Sequence, residues 1–261
     1  MKNSLIVITL LLLIAGCSPY QRALKSEDSA VKIAMIDTLM KKGKYGKTIL
    51  LFDQIIPKYR GTDSAATMAI KYAKSLYEDE NYPTSANQYE RFVTSHPTHP
   101  DRELATFMAA KSHYRMSTIY SKDQRDTQIA LVKLQDYINL FPSGEYSNEA
   151  NTLVNELRTK LDKKAFEISR NYHHRERYIP AIESFDNFII DHPGSEYQDD
   201  AHFYLLDSQY QYAILSLEII VEERLELAKK YYDTFAKRFP TSEYMEEAQE
   251  IMKNIEAYKP I

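Results

Sequence analysis

The chain has 261 residues and nearly balanced charge, with Lys+Arg 33 against Asp+Glu 37 and a net charge of -4. That balance argues for neither nucleic acid nor an acidic partner. A single cysteine excludes disulfide frameworks, while Gly 6 amid abundant Ala, Leu, Glu, Lys and Gln points to helices joined by short turns. Tyr 21 with Trp 0 suits helix seams that are half wet, where the ring packs and the hydroxyl reaches water.

At the N-terminus Lys2 precedes an apolar run, Leu5 to Leu13, broken only by Thr9. It is too short to span a bilayer, which takes roughly 20 residues. Leu13-Ile14-Ala15-Gly16-Cys17 follows, and this pattern resembles the lipobox of bacterial lipoproteins. The resemblance implies that residues 1–16 are a signal peptide and that Cys17 carries covalent lipid at the start of a linker over 17–27. Several acyl chains, at about 0.8 kcal/mol per buried methylene, make a stable anchor. The alternative is an ordinary secretory signal beside an unmodified thiol. Ser18, Pro19, Tyr20, Gln21 and Arg22 supply no acidic residue beside the cysteine. Lipoprotein sorting rules then imply an outer-membrane anchor with the chain facing the periplasm.

From residue 28 onward one register recurs five times. Its closing slot is Tyr59-Arg60-Gly61, then His96-Pro97-Thr98, Phe141-Pro142-Ser143, His192-Pro193-Gly194 and Phe239-Pro240-Thr241. Five residues before each slot stand Ile55, Phe92, Tyr137, Phe188 and Phe235, and three further back Phe52, Tyr89, Leu134, Phe185 and Tyr232. Four before those come the small residues Thr48, Ser85, Ala130, Ala181 and Ala228, and three more back Tyr45, Tyr82, Thr127, Tyr178 and Leu225. Steps of three, four and five keep these side chains on one helical face. The small residue admits a neighbouring helix, the aromatics fill the space beside it, and proline ends the helix. Restarts such as Ser143-Gly144-Glu145-Tyr146, Gly194-Ser195-Glu196-Tyr197 and Thr241-Ser242-Glu243-Tyr244 follow, with Ala105, Ala150, Ala201 and Ala248 eight residues past each proline. The pattern predicts helices over 28–42, 45–59, 63–80, 83–96, 101–120, 127–141, 146–174, 178–192, 197–215, 219–239 and 244–258. It resembles the tetratricopeptide repeat and predicts an all-α superhelical array of about five helix pairs, with slots 37 to 51 residues apart rather than the usual ~34.

No catalytic constellation stands apart from this repeat. His96 and His192 fill the slot that Phe141 and Phe239 fill elsewhere, so they read as packing residues. His173 and His174 diverge around a helix, and His96 with His99 lacks the further ligands a structural zinc needs. Acidic runs such as Glu78-Asp79-Glu80 and Glu222-Glu223 read as solvated faces, and no G-x-S-x-G, phosphate loop or H-E-x-x-H occurs. The expectation is a binding protein without catalysis, metal or cofactor, apart from the lipid on Cys17.

Two segments narrow the partner. Arg91-Phe92-Val93-Thr94-Ser95-His96-Pro97-Thr98-His99-Pro100-Asp101 and Asp123-Gln124-Arg125-Asp126-Thr127-Gln128 resemble the BamD family, whose second repeat ends in P-T-H-P and whose third carries R-D-x-Q. Arg60 in place of a closing proline and a short stretch between Met116 and Asp123 depart from that family's pattern. The resemblance implies a lipoprotein subunit of the outer-membrane β-barrel assembly machinery. Its C-terminal repeats (126–261) would hold the BamA-like barrel insertase, and its N-terminal repeats (28–125) the C-terminal signal of unfolded outer-membrane barrel proteins. A groove for an extended segment needs apolar pockets and exposed donors. By repeat position the first helices offer Ile70, Lys74 and Tyr77, with Thr106, His113 and Tyr114. Packing against neighbouring helices or plain solvation is the alternative at each. The alternative for the whole chain is a periplasmic tetratricopeptide lipoprotein that scaffolds cell-wall or division proteins.

Overall fold

The structure, a computed structural model, describes residues 18–259. The expected signal peptide 1–16 and the lipidation residue Cys17 lie outside the described residues. Those residues form twelve α-helices and no strand. In chain order they are α1 (Pro19–Lys25), α2 (Ser29–Lys41), α3 (Tyr45–Tyr59), α4 (Ala65–Glu78), α5 (Tyr82–Ser95) and α6 (Arg102–Met116). Then come α7 (Arg125–Leu140), α8 (Ser147–His174), α9 (Tyr178–Asp191), α10 (Gln198–Ile214), α11 (Glu218–Arg238) and α12 (Met245–Ala257). They make five tetratricopeptide-like pairs, α2–α3 through α10–α11, with α1 and α12 at the ends.

The repeat read in the sequence is the core. Thr48, Ser85, Ala130, Ala181 and Ala228 are all completely buried, as are Phe52, Ile55, Leu134, Tyr137, Phe185 and Phe235. Of the aromatics five and eight residues before the closing slots only Tyr232 is half-buried. The small residues do what close approach demands: Ser85 Oγ donates to Ala73 O across α4 and α5 at 3.0 Å, with Ser112 Oγ of α6 3.3 Å away.

Two compact units divide the chain. The first contains α1 to α7 and α8 as far as Val154. Each of its helices from α1 to α7 packs on the next, around one cluster centred on Ile36, Leu51, Phe52 and Ile55 and another on Tyr89, Phe92, Ala105 and Ala109. The second contains 119–124 and everything from Asn155. Its clusters form around Phe166, Phe185 and Phe188, and around Phe203, Leu206, Leu225 and Phe235.

Two elements differ from the sequence expectation. Segment 17–27, expected as a linker, holds helix α1, started by Ser18 Oγ accepting from Gln21 N at 3.2 Å and by Pro19 at the first position. Ala23 seats it in the first cluster. The helix expected over 101–120 ends at Met116, because Ser117 turns extended and its hydroxyl pairs with Thr127 Oγ1 at 2.6 Å. The segment beyond is held by α8 instead, with Lys164 Nζ donating to Tyr120 O and Lys122 O at 3.2 and 2.8 Å.

Three of the five turns inside pairs share one backbone device. Gly43, Glu80 and Glu176, each two residues before the recurring tyrosine, have φ of 64°, 61° and 57°. In each case the next residue's N–H reaches back to close the preceding helix: Lys44 to Leu39 O at 2.9 Å, Asn81 to Leu76 O at 2.9 Å, Arg177 to Tyr172 O at 3.0 Å. A second device joins pairs. The restart tyrosines lie flat on a phenylalanine of a first helix: Tyr146 on Phe107 (4.7 Å, 7°), Tyr197 on Phe166 (5.1 Å, 13°) and Tyr244 on Phe203 (4.4 Å, 10°).

Candidate functional site

Unit one carries two grooves that are the same feature one repeat apart. The first, of about 410 Å³, lies between α3, α4 and α5, and Asp53, Ile56, Ala69, Tyr72 and Arg91 line it. The second, of about 360 Å³, lies between α5, α6 and α7, and Glu90, Val93, Thr106, Ala109 and Asp136 occupy the corresponding positions. Helix α5 is the wall between them: Arg91 faces one groove and Glu90 the other.

Chemistry differs between the two. In the first, Tyr72 OH donates to Asp53 Oδ1 at 2.7 Å, and burial together with that carboxylate pushes the phenol well above its usual range. Asp53 is thereby occupied. Arg60 and Arg91 at the rim have no ion-pair partner among the described residues, and both are exposed. The floor is apolar, from Ile56, Ala69 and Phe92. In the second groove the charges are already matched: Lys133 Nζ and His113 Nε2 reach Glu90 Oε1 at 2.6 and 3.2 Å. Burial pushes the Glu90 carboxyl up, but the bonds from Lys133 and His113 outweigh it and hold it low.

The six residues expected on first helices have different surroundings. Thr106 lines the second groove and donates to Arg102 O at 2.8 Å, while His113 sits at Glu90. Ile70 packs on the Tyr89–Phe92–Ala105 cluster. Tyr77 stands edge-on to Tyr82 at 5.3 Å, and Arg115 donates to Tyr82 OH at 2.8 Å while covering its ring. Lys74 is exposed, and Tyr114 is half-buried at the end of α6. Asp53, Arg60, Tyr72 and Arg91 lie outside that expectation, because they stand on second helices, turns or a different face of α4. Their signal was available: shifting by one repeat pairs Asp53 with Glu90, and Ala69 with Thr106.

Both histidines of the P-T-H-P turn pack on a neighbouring ring. His96 and His99 lie 5.0 and 5.2 Å from the Phe92 ring, and His99 Nδ1 accepts from Asp101 N at 3.1 Å. His192 likewise stacks on Phe188 at 4.9 Å and meets Asp162 at 2.8 Å. His173 Nδ1 pairs with Ser208 Oγ at 2.9 Å. Among the described residues no group of three His, Cys, Asp or Glu could hold a metal ion, and no helix is long and apolar enough to cross a membrane.

Unit two has an open pocket of about 450 Å³ between 119–124 and α8, where Tyr120, Ile168 and Tyr172 meet Arg175 and Arg177. Lys163 Nζ stands 4.8 Å over the Tyr120 ring.

Known proteins resemble this chain along most of its length. The BamD outer membrane protein assembly factor of Rickettsia prowazekii is 25% identical over 259 residues, covering 97% of this chain and 96% of that one. The BamD of Neisseria gonorrhoeae is 20% identical, covering 95% of each. Among solved structures, a Podosopora anserina kinesin light chain with TPR-like repeats aligns over 92% of the chain at 14% identity and a TM-score of 0.34. The family model YfiO, described as an outer membrane lipoprotein, matches residues 34–217, well over half the chain. With repeats, P-T-H-P turn and full-length relatives in agreement, the chain belongs to the YfiO/BamD family of outer membrane lipoproteins, which are assembly factors and not enzymes.

Proposed function

We propose that the chain is the lipid-anchored, periplasm-facing subunit of an outer-membrane β-barrel assembly machinery. Acyl groups on Cys17 tether it. The N-terminal repeats (28–125) receive unfolded barrel proteins, and the C-terminal repeats (126–261) hold the barrel insertase, with the Arg175–Arg177 pocket as its contact. The observation that carries the client half is the first groove, where two guanidinium groups without ion partners, Arg60 and Arg91, stand over an apolar floor. Such a site suits an aromatic side chain beside a carboxylate, and guanidinium groups take carboxylates in two-point geometry. The first-helix residues Lys74 and Tyr77 form a second contact for the same client.

The test is fluorescence polarisation with a labelled decapeptide ending in phenylalanine and its C-terminal amide. Arg60→Glu with Arg91→Glu weakens the free-acid peptide about tenfold or more and brings it level with the amide. Equal binding by wild type and variant removes the groove from the reading. Depletion in cells tests the whole: loss of folded outer-membrane barrels supports assembly. Intact barrels beside a wall or division defect support the scaffold alternative.

A further inference from the structure

The turn from α10 to α11 holds the densest exposed apolar surface among the described residues. Ile214, Leu215, Leu217 and Ile219 lie within six positions and are 44%, 70%, 73% and 88% exposed. Leaving such side chains in water forgoes the stabilisation that burial would give them. A mobile turn could fold them inward, but this one is braced. The Arg224 guanidinium covers the Tyr212 ring at 3.8 Å and donates to Ser216 Oγ, while Gln209 Nε2 holds Arg224 O at 3.0 Å. Ser216 N closes the end of α10 on Ala213 O at 3.1 Å. The polar groups of the turn are spent on fixing its shape, and the apolar ones are left pointing out. The family model's match ends at residue 217, inside this turn.

Charge selects the occupant. Glu218, Glu222, Glu223 and Glu226 stand on the first turns of α11 directly after the apolar tip and are all exposed, and the cation among them, Arg224, is bound into the brace. An anionic lipid surface and a second identical tip are both repelled by that rim. We infer that the 214–219 tip docks an apolar protein surface bordered by lysine and arginine. This partner site is separate from the client groove and does not depend on the identity proposed for the insertase.

A photo-crosslinking residue at position 217 of the full-length chain, expressed in its own envelope, tests the inference. The expected product is one protein adduct whose crosslinked peptide, read by mass spectrometry, carries Lys or Arg beside apolar residues. Its yield falls about tenfold when Glu222→Lys and Glu223→Lys are combined. A crosslinker at Asn148 on the same double variant controls for folding and export. No protein adduct, an adduct with the chain itself, an adduct insensitive to the charge reversal, or flotation with phosphatidylethanolamine–phosphatidylglycerol vesicles that Leu215→Ser with Leu217→Ser abolishes would each overturn it.

Discussion

Tyr244 lies flat on Phe203, ring centroids 4.4 Å apart and planes 10° from parallel, while its hydroxyl donates to Asp200 Oδ1 at 2.8 Å. The tyrosine opens α12 and both partners stand on α10, so one side chain docks the last helix by stacking and by a charge-assisted bond. Tyr146 and Tyr197 repeat the stacking earlier in the chain. The recurring Glu-Tyr restart is therefore a docking peg between successive pairs.

Removing the peg in two steps separates its parts. Tyr244→Phe keeps the stack and loses the bond to Asp200, at a cost of about 1 kcal/mol. Tyr244→Ala loses both, at a cost of about 3 kcal/mol. Urea titration followed by circular dichroism reads both, and equal losses would show that the stack contributes nothing.

The left-handed turns offer a gain. Glu80 and Glu176 hold φ of 61° and 57° where the first repeat uses Gly43. A side chain costs about 1 kcal/mol in that conformation, so Glu80→Gly and Glu176→Gly each raise stability by about that amount. Gly43→Glu lowers it correspondingly, in thermal melts of the three variants. Unfolded-chain entropy works against glycine, and the left-handed strain outweighs it.

Gly144 allows a close approach of a different kind. A Cβ there would stand 2.8 Å from Tyr137 OH and 2.9 Å from Phe141 Cβ. It would also press on the Glu103 carboxylate, which accepts from Tyr137 OH and Glu145 N at 2.9 and 2.7 Å. Gly144→Ala breaks at least one of those bonds and destabilises unit one by about 2 kcal/mol. Hydrogen exchange of the Glu145 amide is the direct readout, rising if the bond is lost.

His202 makes stability depend on acid. Burial and the Arg238 guanidinium, 3.0 Å from Nε2, hold the imidazole at about 4, below its ordinary 6.5. Between those values the unfolded chain binds a proton that the folded chain refuses. This contribution is complete above pH 6.5 and is lost as pH falls toward 4, a span of about 3 kcal/mol. His202→Gln flattens the change in urea midpoint between pH 7 and pH 4.5. An unchanged slope would assign the acid sensitivity to other groups.

Much of the fold could be read directly. Buried Ala130, Ala181 and Ala228 and the aromatics around them follow from a spacing that admits only one helical face. The histidines of the closing slots do pack on Phe92 and Phe188, as their exchange with phenylalanine in other copies indicated. Helix α1 was missed although Ser18-Pro19 is a start signal, because seven residues carry too little periodicity to register. The end of α6 at Met116 was missed because the Ser117–Thr127 bond that fixes it joins residues ten apart.

Linear order determined the helices, their core faces, the stops and the resemblance to one family, since each depends on steps of three to five residues or on a short motif. The grooves, the brace at Arg224 and the exposure of Leu217 were decided only in three dimensions. They depend on which turn of one helix meets which turn of another. Arg91 and Glu90 are neighbours in sequence, yet packing gives one to each side of α5.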